Sequence, residues 1–514
     1  MTAAQPIEIE LHRPRVIGQR AEFSWTESRS SGLYHKNNFS LEFPGSVPLE
    51  RVPMSLWWTV FLLCVHAHWS LLRPCRIRLP VRLEAGEAEI WRRLLKSYAT
   101  TLDALNPDGQ PRPDIELVLG AETPEPYLPV ADTDRCATAF SGGKDSLAQV
   151  GLLCEMGYRP LLVTTTSPLP PLLDHHSAFR RWTMAEVQRR RGLELVEVAA
   201  DFRATWNNLA PRAWGYPLSL NEISDTFLYT ATLAVTCYTR GVPNLFLASE
   251  NEVAANSVEQ GVYLQHAHFM YSALTQAGIS ALLRPFGLQY GSLTTALQSS
   301  QVQELVTSRY PDLSDLQCSC WRITETRKAC SECSECKRLA WVSLSLGGSP
   351  ADQGVDFVWM LNHYSDHGSR SSRERPHPPN RLAAAGFKAQ IVRGILGVSS
   401  ARMFGYLLRR HPRSLLDGSG WWAFNQFRKI RAATRREHPG TPPQIGYRPG
   451  YLQLLAEPMR ERLRAILADQ FESEPEEDHA VPLANLMTAI AWLTQPLPSS
   501  DQPIGDLPRT PAPR

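Results

Sequence analysis

Apolar and polar residues alternate along several short stretches of residues 1–130. Strict alternation predicts strands with one exposed face, whereas longer apolar-periodic stretches predict helices that pack on those strands. A proline-rich connector with one short strand closes this part at 106–129. We therefore expect residues 1–130 to form an N-terminal α+β module. Its predicted strands are 7–11, 77–83 and 115–119, and its predicted helices are 55–72 and 88–105.

Short apolar runs alternate with amphipathic segments over residues 131–345. This alternation predicts an α/β domain with a parallel sheet that helices cover on both faces. Ligands of such sheets bind beyond the carboxyl ends of the strands, at a topological switch point. The predicted strands are 136–140, 160–165, 193–198 and 245–249, and the predicted helices are 146–156, 178–191 and 223–240.

Helical periodicity dominates residues 346–494, which we expect to form a helical extension. Residues 365–380 are polar and basic and predict a loop, and 472–478 form a short acidic loop. Residues 495–514 are rich in proline and polar residues, which predicts a disordered tail. The predicted helices of the extension are 381–396, 399–410, 420–436, 456–471 and 482–493.

The composition is typical of a soluble globular protein, with 43% apolar and 20% charged residues. The net charge of +2 does not by itself indicate nucleic acid or membrane as a partner. The most apolar run, 56–72, carries His66 and His68 and is short for a bilayer span. Residues 1–15 lack the apolar core of a secretory signal. We therefore expect a cytoplasmic protein without a membrane partner.

A glycine-rich turn separates the first predicted strand of the α/β domain from its first helix. Unpaired N–H groups and the helix dipole favour an anion at such a helix start, and two glycines allow close backbone approach to phosphate. Two serines add hydroxyl donors and Lys144 adds positive charge, whereas Asp145 needs a cation such as Mg²⁺ beside phosphate. The spacing differs from that of a Walker A loop. The candidate phosphate-binding residues are Phe140, Ser141, Gly142, Gly143, Lys144, Asp145 and Ser146.

This segment resembles the SGGxDS signature of the PP-loop ATP pyrophosphatases. The resemblance implies an adenine nucleotide alpha hydrolase-like, Rossmann-like sheet that binds ATP and Mg²⁺ and leaves an adenylated substrate. It assigns catalytic roles to Lys144, Asp145 and Ser146. Thr164 and Thr165, at the end of the second predicted strand, are expected to face the adenosine.

Five of the ten cysteines lie between positions 318 and 336. Four of these sulfurs suit a tetrahedral Zn²⁺ site. Cys318 is a spare thiol that can replace Cys320 as a ligand. An iron–sulfur cluster and a set of reduced surface thiols are the alternatives. The expected metal ligands are Cys320, Cys330, Cys333 and Cys336.

The loop and the cysteines together resemble the 7-cyano-7-deazaguanine synthases of the queuosine pathway, over residues 134–345. The resemblance implies a structural zinc and adenylation of 7-carboxy-7-deazaguanine by ATP. Ammonia then displaces AMP to give an amide, and a second ATP dehydrates the amide to the nitrile. The chain is thus expected to be a carbon–nitrogen ligase.

Substrate handling departs from that family, because its Tyr-Pro-Asp-Cys-Arg segment is replaced here by 263–269. The ordinary synthases also have neither an N-terminal module nor a helical extension. Enlarged relatives occur in the bacterial anti-phage operons Qat and type IV CBASS, where the acid is proposed to be joined to the N-terminal amine of a partner protein. A carboxylate can accept from a guanine-like amino group, and a histidine can deprotonate an amine. The candidate substrate-binding residues are Glu250, Asn251, Glu252, His266 and His268.

Two other functions are compatible with the same sequence. Arginines and aromatic residues interleave over 409–436, which suits a PP-loop tRNA thiolase or lysidine-type ligase. An amphipathic helix that buries its aromatic residues and solvates its arginines explains the pattern equally, and we favour it. An ATP-binding assembly scaffold is the non-enzymatic alternative, although it has little need of Asp145.

Overall fold

A mixed sheet of eleven strands, most of them in parallel pairs, forms the centre of the protein. The computed structural model describes residues 5–72, 74–106, 115–167, 178–254, 257–259, 262–320, 322–323, 327–363, 381–439 and 446–495. The predicted loop at 365–380 and nearly all of the predicted tail lie outside these residues. The strands are β1 (Ile7–Leu11), β2 (Arg15–Ile17), β3 (Arg20–Glu27), β4 (Asn38–Glu42), β5 (Cys75–Val81), β6 (Ile115–Glu122), β7 (Cys136–Ala139), β8 (Leu161–Thr166), β9 (Leu195–Ala200), β10 (Asn244–Phe246), β11 (Ser257–Glu259), β12 (Val262–Leu264) and β13 (Gln289–Gly291).

Helices cover this sheet and build the C-terminal part of the chain. The helices of the first half are α1 (Met54–Trp69), α2 (Ala85–Leu105), α3 (Lys144–Glu155), α4 (Ala178–Arg191), α5 (Ala210–Ala213), α6 (Leu220–Ser224), α7 (Phe227–Arg240) and α8 (Asn251–Ala254). Those of the second half are α9 (Ala273–Leu283), α10 (Ser299–Glu304), α11 (Pro311–Ser314), α12 (Ser334–Ser345), α13 (Phe357–Asn362), α14 (Arg381–Gly397), α15 (Ser400–Arg410), α16 (Pro412–Leu416), α17 (Ser419–Glu437), α18 (Met459–Gln470) and α19 (Glu476–Thr494).

The predicted parallel sheet is confirmed in the order β13-β10-β7-β8-β9. Each of its four strand pairs is parallel; Ala137 of β7, for example, lies opposite Leu161 of β8 and Leu245 of β10. The chain runs outward from β7 through β8 to β9 and then returns to add β10 on the other side. The order therefore reverses between β7 and β10, which makes their carboxyl ends the topological switch point.

The N-terminal strands continue the same sheet and do not form a separate one. β4 pairs antiparallel with β9, and the sheet then runs through β3, β1, β5 and β6. The Asp201 carboxylate reinforces this junction, because it accepts from Ser40 N at 2.6 Å and pairs with Lys36 at 3.1 Å. The boundary predicted at 130/131 therefore does not interrupt the sheet.

Two hydrophobic cores organise the described residues. The larger core extends from Ile9 to Leu316 and includes the last segment, from Tyr447 to Leu493. The smaller core contains Cys318 to Phe427 and therefore joins the cysteine cluster to α12–α17. The boundary predicted at 345/346 lies within the smaller core.

Membrane-spanning potential is low throughout the described residues. Not one of their single helices has both the length and the apolarity that a span requires. One pair of helices, Lys388–Gly397 and Ser400–Arg410, meets both criteria when taken together, although it is bent by 85°.

Candidate functional site

The glycine-rich turn lies at the carboxyl end of β7, and α3 begins at Lys144 immediately after it. Gly142 has φ +75°, a conformation that favours glycine, and its carbonyl accepts from Cys318 N at 2.8 Å. Arg180 donates to the Ser141 carbonyl, and Ser146 Oγ donates to the Gly143 carbonyl at 3.0 Å. The turn is thus held in place by partners from distant parts of the chain.

A cavity of about 620 Å³ opens at this turn. It lies at the carboxyl ends of β7 and β10, the switch point of the sheet, and is lined by residues that follow both strands. Its volume is in the range of small-molecule sites. The predicted site residues that line it are Phe140, Ser141, Gly143, Lys144, Asp145, Ser146, Glu250, Glu252, His266 and His268.

Lys144 is the centre of a charged cluster in this cavity. Its side chain is 3% exposed, and Nζ lies 2.5 Å from Glu250 Oε2 while also contacting the Asp145 carboxylate. Burial raises the pKa of Asp145 to about 7, and the neighbouring Glu250 carboxylate acts in the same direction. Burial also opposes ionisation of Glu250, but Lys144 and Arg338 hold the pKa of Glu250 below its usual range. Two carboxyl groups therefore face one ammonium.

The cysteine-rich segment contributes to the same cavity through α12. Arg338 lies on this helix, 3.9 Å from Glu250 Oε1, and is ion-paired with Glu335 one turn earlier. Both residues line the cavity. Cys333 is the N-cap of α12 and accepts from Cys336 N, so the cluster sets where this helix begins.

Another part of the cavity lining comes from the α6–α7 junction, α7 and the segment after β12. Asp225 pairs with Arg203 at 2.5 Å, and Arg203 also donates to Tyr229 Oη at 2.7 Å. Burial lowers the pKa of His266 and of His268, although Asp225 acts against the shift at His268. Neutral imidazoles therefore lie beside this acid.

Gly142 and three predicted ATP- or substrate-binding side chains are not among the residues that line the cavity. Thr164 and Thr165 are buried in β8, and Thr165 hydrogen-bonds Thr232 of α7 at 2.7 Å. Asn251 is buried and donates to the Thr295 carbonyl at 3.0 Å. The hydrogen bonds of Thr165 and Asn251 therefore join neighbouring elements of the fold.

Glu252 lines the cavity but is already engaged by protein groups. Its carboxylate accepts from Ser299 N at 3.0 Å and from Gln390 Nε2 at 2.7 Å. Burial raises its pKa to about 7, with the Glu250 carboxylate as a further cause. Glu252 therefore ties α10 and α14 to α8.

The four predicted metal ligands come together. The Sγ atoms of Cys320, Cys330, Cys333 and Cys336 all lie within 4.8 Å of one another, a spacing that suits one tetrahedral ion. Backbone N–H groups donate to three of these sulfurs; Cys330 N, for example, donates to Cys320 Sγ at 3.3 Å. Such donors stabilise thiolate ligands. The cluster can therefore hold a metal such as zinc.

Cys318 lies outside this cluster and lines the cavity. Its sulfur is 3.2 Å from Thr183 Oγ1, and it is almost fully buried. The sequence left open whether Cys318 or Cys320 is the fourth ligand, and in the structure it is Cys320 that belongs to the four-sulfur cluster. Cys318 is the thiol beside the glycine turn.

Sequence patterns missed several residues of the cavity. Glu335 lies within the cysteine motif and Arg338 follows Glu335 three residues later, and this helical spacing was the available signal for them. Arg180 and Asp225 carry no comparable local signal, because only the tertiary fold brings them to the loop.

Comparisons with known proteins provide no further assignment: neither a family model, a curated protein nor a solved structure matches the chain.

Proposed function

We propose that the protein is a PP-loop ATP pyrophosphatase that adenylates the carboxylate of 7-carboxy-7-deazaguanine or a close analogue and couples it to a nitrogen nucleophile. The observation that carries this proposal is the Ser-Gly-Gly turn, which leads into Lys144 and Asp145 at the mouth of the switch-point cavity. The turn precedes a helix of 12 residues, whose N-terminus favours an anion.

The cavity's charges fit a nucleotide that binds with a divalent cation. Five carboxyl groups line it, against only three cationic side chains, so a triphosphate alone would be repelled. Lys144 already lies between the carboxylates of Asp145 and Glu250, which shows that this position accepts positive charge. Asp145 and Glu250 would hold Mg²⁺, and Ser141, Ser146 and the turn would hold the phosphates.

ATP supplies the AMP group that converts the carboxylate, a poor electrophile, into an acyl group with a good leaving group. Lys144, Arg180 and Arg338 place positive charge where the leaving pyrophosphate develops negative charge. For this role the Lys144 ammonium would exchange its contact with the Glu250 carboxylate for a contact with a phosphate oxygen.

Activation of the nitrogen nucleophile is assigned to the part of the lining that carries Asp225, His266 and His268. An amine attacks only when it has lost its extra proton, and the imidazole of His268, whose pKa Asp225 raises against the effect of burial, would accept that proton. Asp225 then stabilises the charged imidazole. The nucleophile is ammonia or the N-terminal amine of a partner protein, as in anti-phage defence.

Pyrophosphate release in the presence of 7-carboxy-7-deazaguanine tests the proposal. We expect release that depends on the acid and is lost in Lys144→Ala, with guanine as a matched control that lacks the carboxylate. Mass spectrometry of the product identifies the nitrogen acceptor. Release of ADP and phosphate, or release unaffected by the acid, would contradict the proposed reaction.

A second candidate, sulfur transfer to tRNA, is favoured by one observation. Cys318 lines the cavity next to the glycine turn, where a persulfide-carrying thiol of a thiolase would be needed. Cys318→Ser separates the two candidates, because the ligase should keep its acid-dependent turnover. Pyrophosphate release that requires tRNA and disappears in Cys318→Ser would favour the thiolase.

A further inference from the structure

Helix α17 exposes aromatic and cationic side chains on the same face. At 100° per residue the exposed positions from Trp421 to Arg436 fall within one arc, about 140° wide, and the exposed Glu437 at the end of the helix lies outside it. The opposite face carries Ala423 and Phe427, which are fully buried, and Phe427 packs 6.1 Å from Trp341. The exposed face, called here the α17 ridge, consists of Trp421, Trp422, Asn425, Arg428, Lys429, Ala432, Arg435 and Arg436.

The tryptophans of the ridge contradict the interpretation favoured from the sequence, that the aromatic residues of this segment are buried. Phe427 is buried and Phe424 is half-buried, but Trp421 is 49% and Trp422 is 53% exposed. The reason is their position in the helix: Trp421 and Trp422 lie between the buried residues Gly420 and Ala423 in sequence but point to the other side of the helix. Two adjacent exposed indoles are unusual on a surface without a partner.

The ridge is strongly basic in a nearly neutral protein. Four of its eight residues are Lys or Arg and none of the eight is acidic, whereas the whole chain has a net charge of only +2. Among the residues whose placement is described, Arg428, Arg435 and Arg436 have no acidic partner. Lys429 Nζ lies 5.6 Å from the centre of the Trp422 ring, which extends the cationic surface over the aromatic one.

Single-stranded nucleic acid fits this combination better than a membrane does. From Trp421 to Arg436 the ridge is about 22 Å long, and its cations form two pairs about 10 Å apart. A strand presents phosphates along such a length, and its bases can stack on exposed indoles. A membrane-surface helix needs an apolar face along its whole length, but the large apolar side chains of the ridge are confined to its first turn.

We propose that the α17 ridge binds single-stranded nucleic acid, with bases stacked on Trp421 and Trp422 and phosphates held by Arg428, Lys429, Arg435 and Arg436. The ridge packs through its buried face on α13 and α14, and it shares no residue with the cavity. The inference therefore does not rest on the proposed ligase chemistry.

Fluorescence anisotropy of labelled (dT)20 and (rU)20, titrated with the full-length protein at several salt concentrations, tests the proposal. We expect the double variant Trp421→Ala/Trp422→Ala to bind at least about tenfold more weakly with an unchanged salt slope. Arg435→Ala/Arg436→Ala should lower the slope of log K against log salt by about 1.4. The control is Arg51→Ala/Arg82→Ala, which removes two exposed arginines of the N-terminal module and should change neither quantity.

Two outcomes would overturn the inference. One is oligonucleotide affinity that is the same in the tryptophan variant and the parent protein. The other is cosedimentation with phosphatidylglycerol vesicles without oligonucleotide binding, which would assign the ridge to membranes. Acid-dependent pyrophosphate release by the tryptophan variant, measured in parallel, shows whether the cavity is intact independently of the ridge.

Discussion

Lys144 Nζ lies 2.5 Å from Glu250 Oε2, and this contact joins the loop after β7 to the loop after β10 across the switch point of the sheet. Both side chains are largely buried, with exposures of 3% and 16%. Buried charges are stable only when they are paired, and here Lys144 and Arg338 lie beside the carboxyl groups of Asp145 and Glu250. The cluster is therefore sensitive to the loss of either carboxylate and to the arrival of another cation.

Asp145→Ala is expected to abolish turnover without unfolding the protein. Asp145 is the second residue of α3, its side chain is 36% exposed and lines the cavity, and it makes its ion pair with Lys144. Loss of a cation ligand should reduce pyrophosphate release by at least about a hundredfold. Asp132→Ala, which removes an exposed acid between β6 and β7, is the control. Normal activity in Asp145→Ala, with an unchanged Mg²⁺ requirement, would contradict the assigned role.

The apparent affinity for Mg²⁺ should fall as the pH is lowered through about 7. Burial and the Glu250 carboxylate raise the pKa of Asp145 to about 7, so below that pH the carboxyl is protonated and cannot hold a cation. Asp145 therefore carries a proton over a wider pH range in the folded protein than in the unfolded chain, and Mg²⁺ must displace that proton in order to bind. Measurement of KM for Mg²⁺ from pH 6 to 8 checks this, and Asp145→Asn should remove most of the dependence. A flat profile in the parent protein would contradict a raised pKa for the ligand carboxyl.

Loss of the metal is expected to weaken nucleotide binding as well as stability. Cys333 caps α12, and α12 carries Arg338 into the cavity, so disorder of the cluster displaces that guanidinium. Cys333→Ser should lose the bound metal and lower Tm by more than about 5 °C. ATP affinity should fall in the same variant. The control is Cys154→Ser, a half-buried thiol outside the cluster.

Three results would each contradict one part of this account. Metal analysis that finds iron, with visible absorbance, would exclude zinc. A metal-free variant that binds ATP as the parent does would show that Arg338 is held without the cluster. An unchanged metal content in Cys333→Ser would instead remove Cys333 from the ligand set.

Local patterns predicted the parts of the fold that depend on near neighbours. β7, α3, α4 and α17 lie within two residues of their predicted ends, because strand runs and helical periodicity are properties of contiguous residues. The four metal ligands were predicted for the same reason, because all four lie within 17 consecutive residues and need no distant segment to meet.

Pairings between distant segments were not predicted. β3 and β4 form an antiparallel connection from β1 to β9, and no local signal shows that β4 will pair with a strand some 150 residues later. The cavity residues Arg180 and Asp225 were missed for the same reason. Conversely, Thr165 follows the expected strand pattern but turns to Thr232 of α7, a neighbour that only the tertiary packing determines.

The stability of the protein should decrease as the pH falls from about 6.5 to about 3. Burial lowers the pKa of His66 and of His68 to about 3, whereas an unfolded histidine titrates near about 6.5. Between these values the unfolded chain takes up protons that the folded chain does not, so the free energy of unfolding falls by about 1.4 kcal/mol per pH unit for each histidine.

His68→Gln tests the contribution of one histidine. His68 bridges Tyr34 Oη, at 2.9 Å, to Ser224 of α6, next to the cavity residue Asp225. The variant should be less stable at pH 7, but its urea-unfolding free energy should depend on pH less steeply, by up to one proton. His35→Gln, at an exposed position, is the control and should leave the slope unchanged. An unaltered slope in His68→Gln would show that His68 is not held neutral by the fold.

Removal of residues 1–130 is expected to prevent the rest of the chain from folding. Deletion uncovers the edge of β9, leaves the packing face of α7 without α1, and removes the His68 contact with Ser224. Bared strand edges and apolar helix faces cause aggregation, so residues 131–514 alone should be insoluble. Coexpression of 1–130 as a separate chain is the matched control and should restore soluble protein, because the two parts share one core. A soluble 131–514 fragment that unfolds cooperatively and binds ATP would show that the N-terminal strands are an independent module after all.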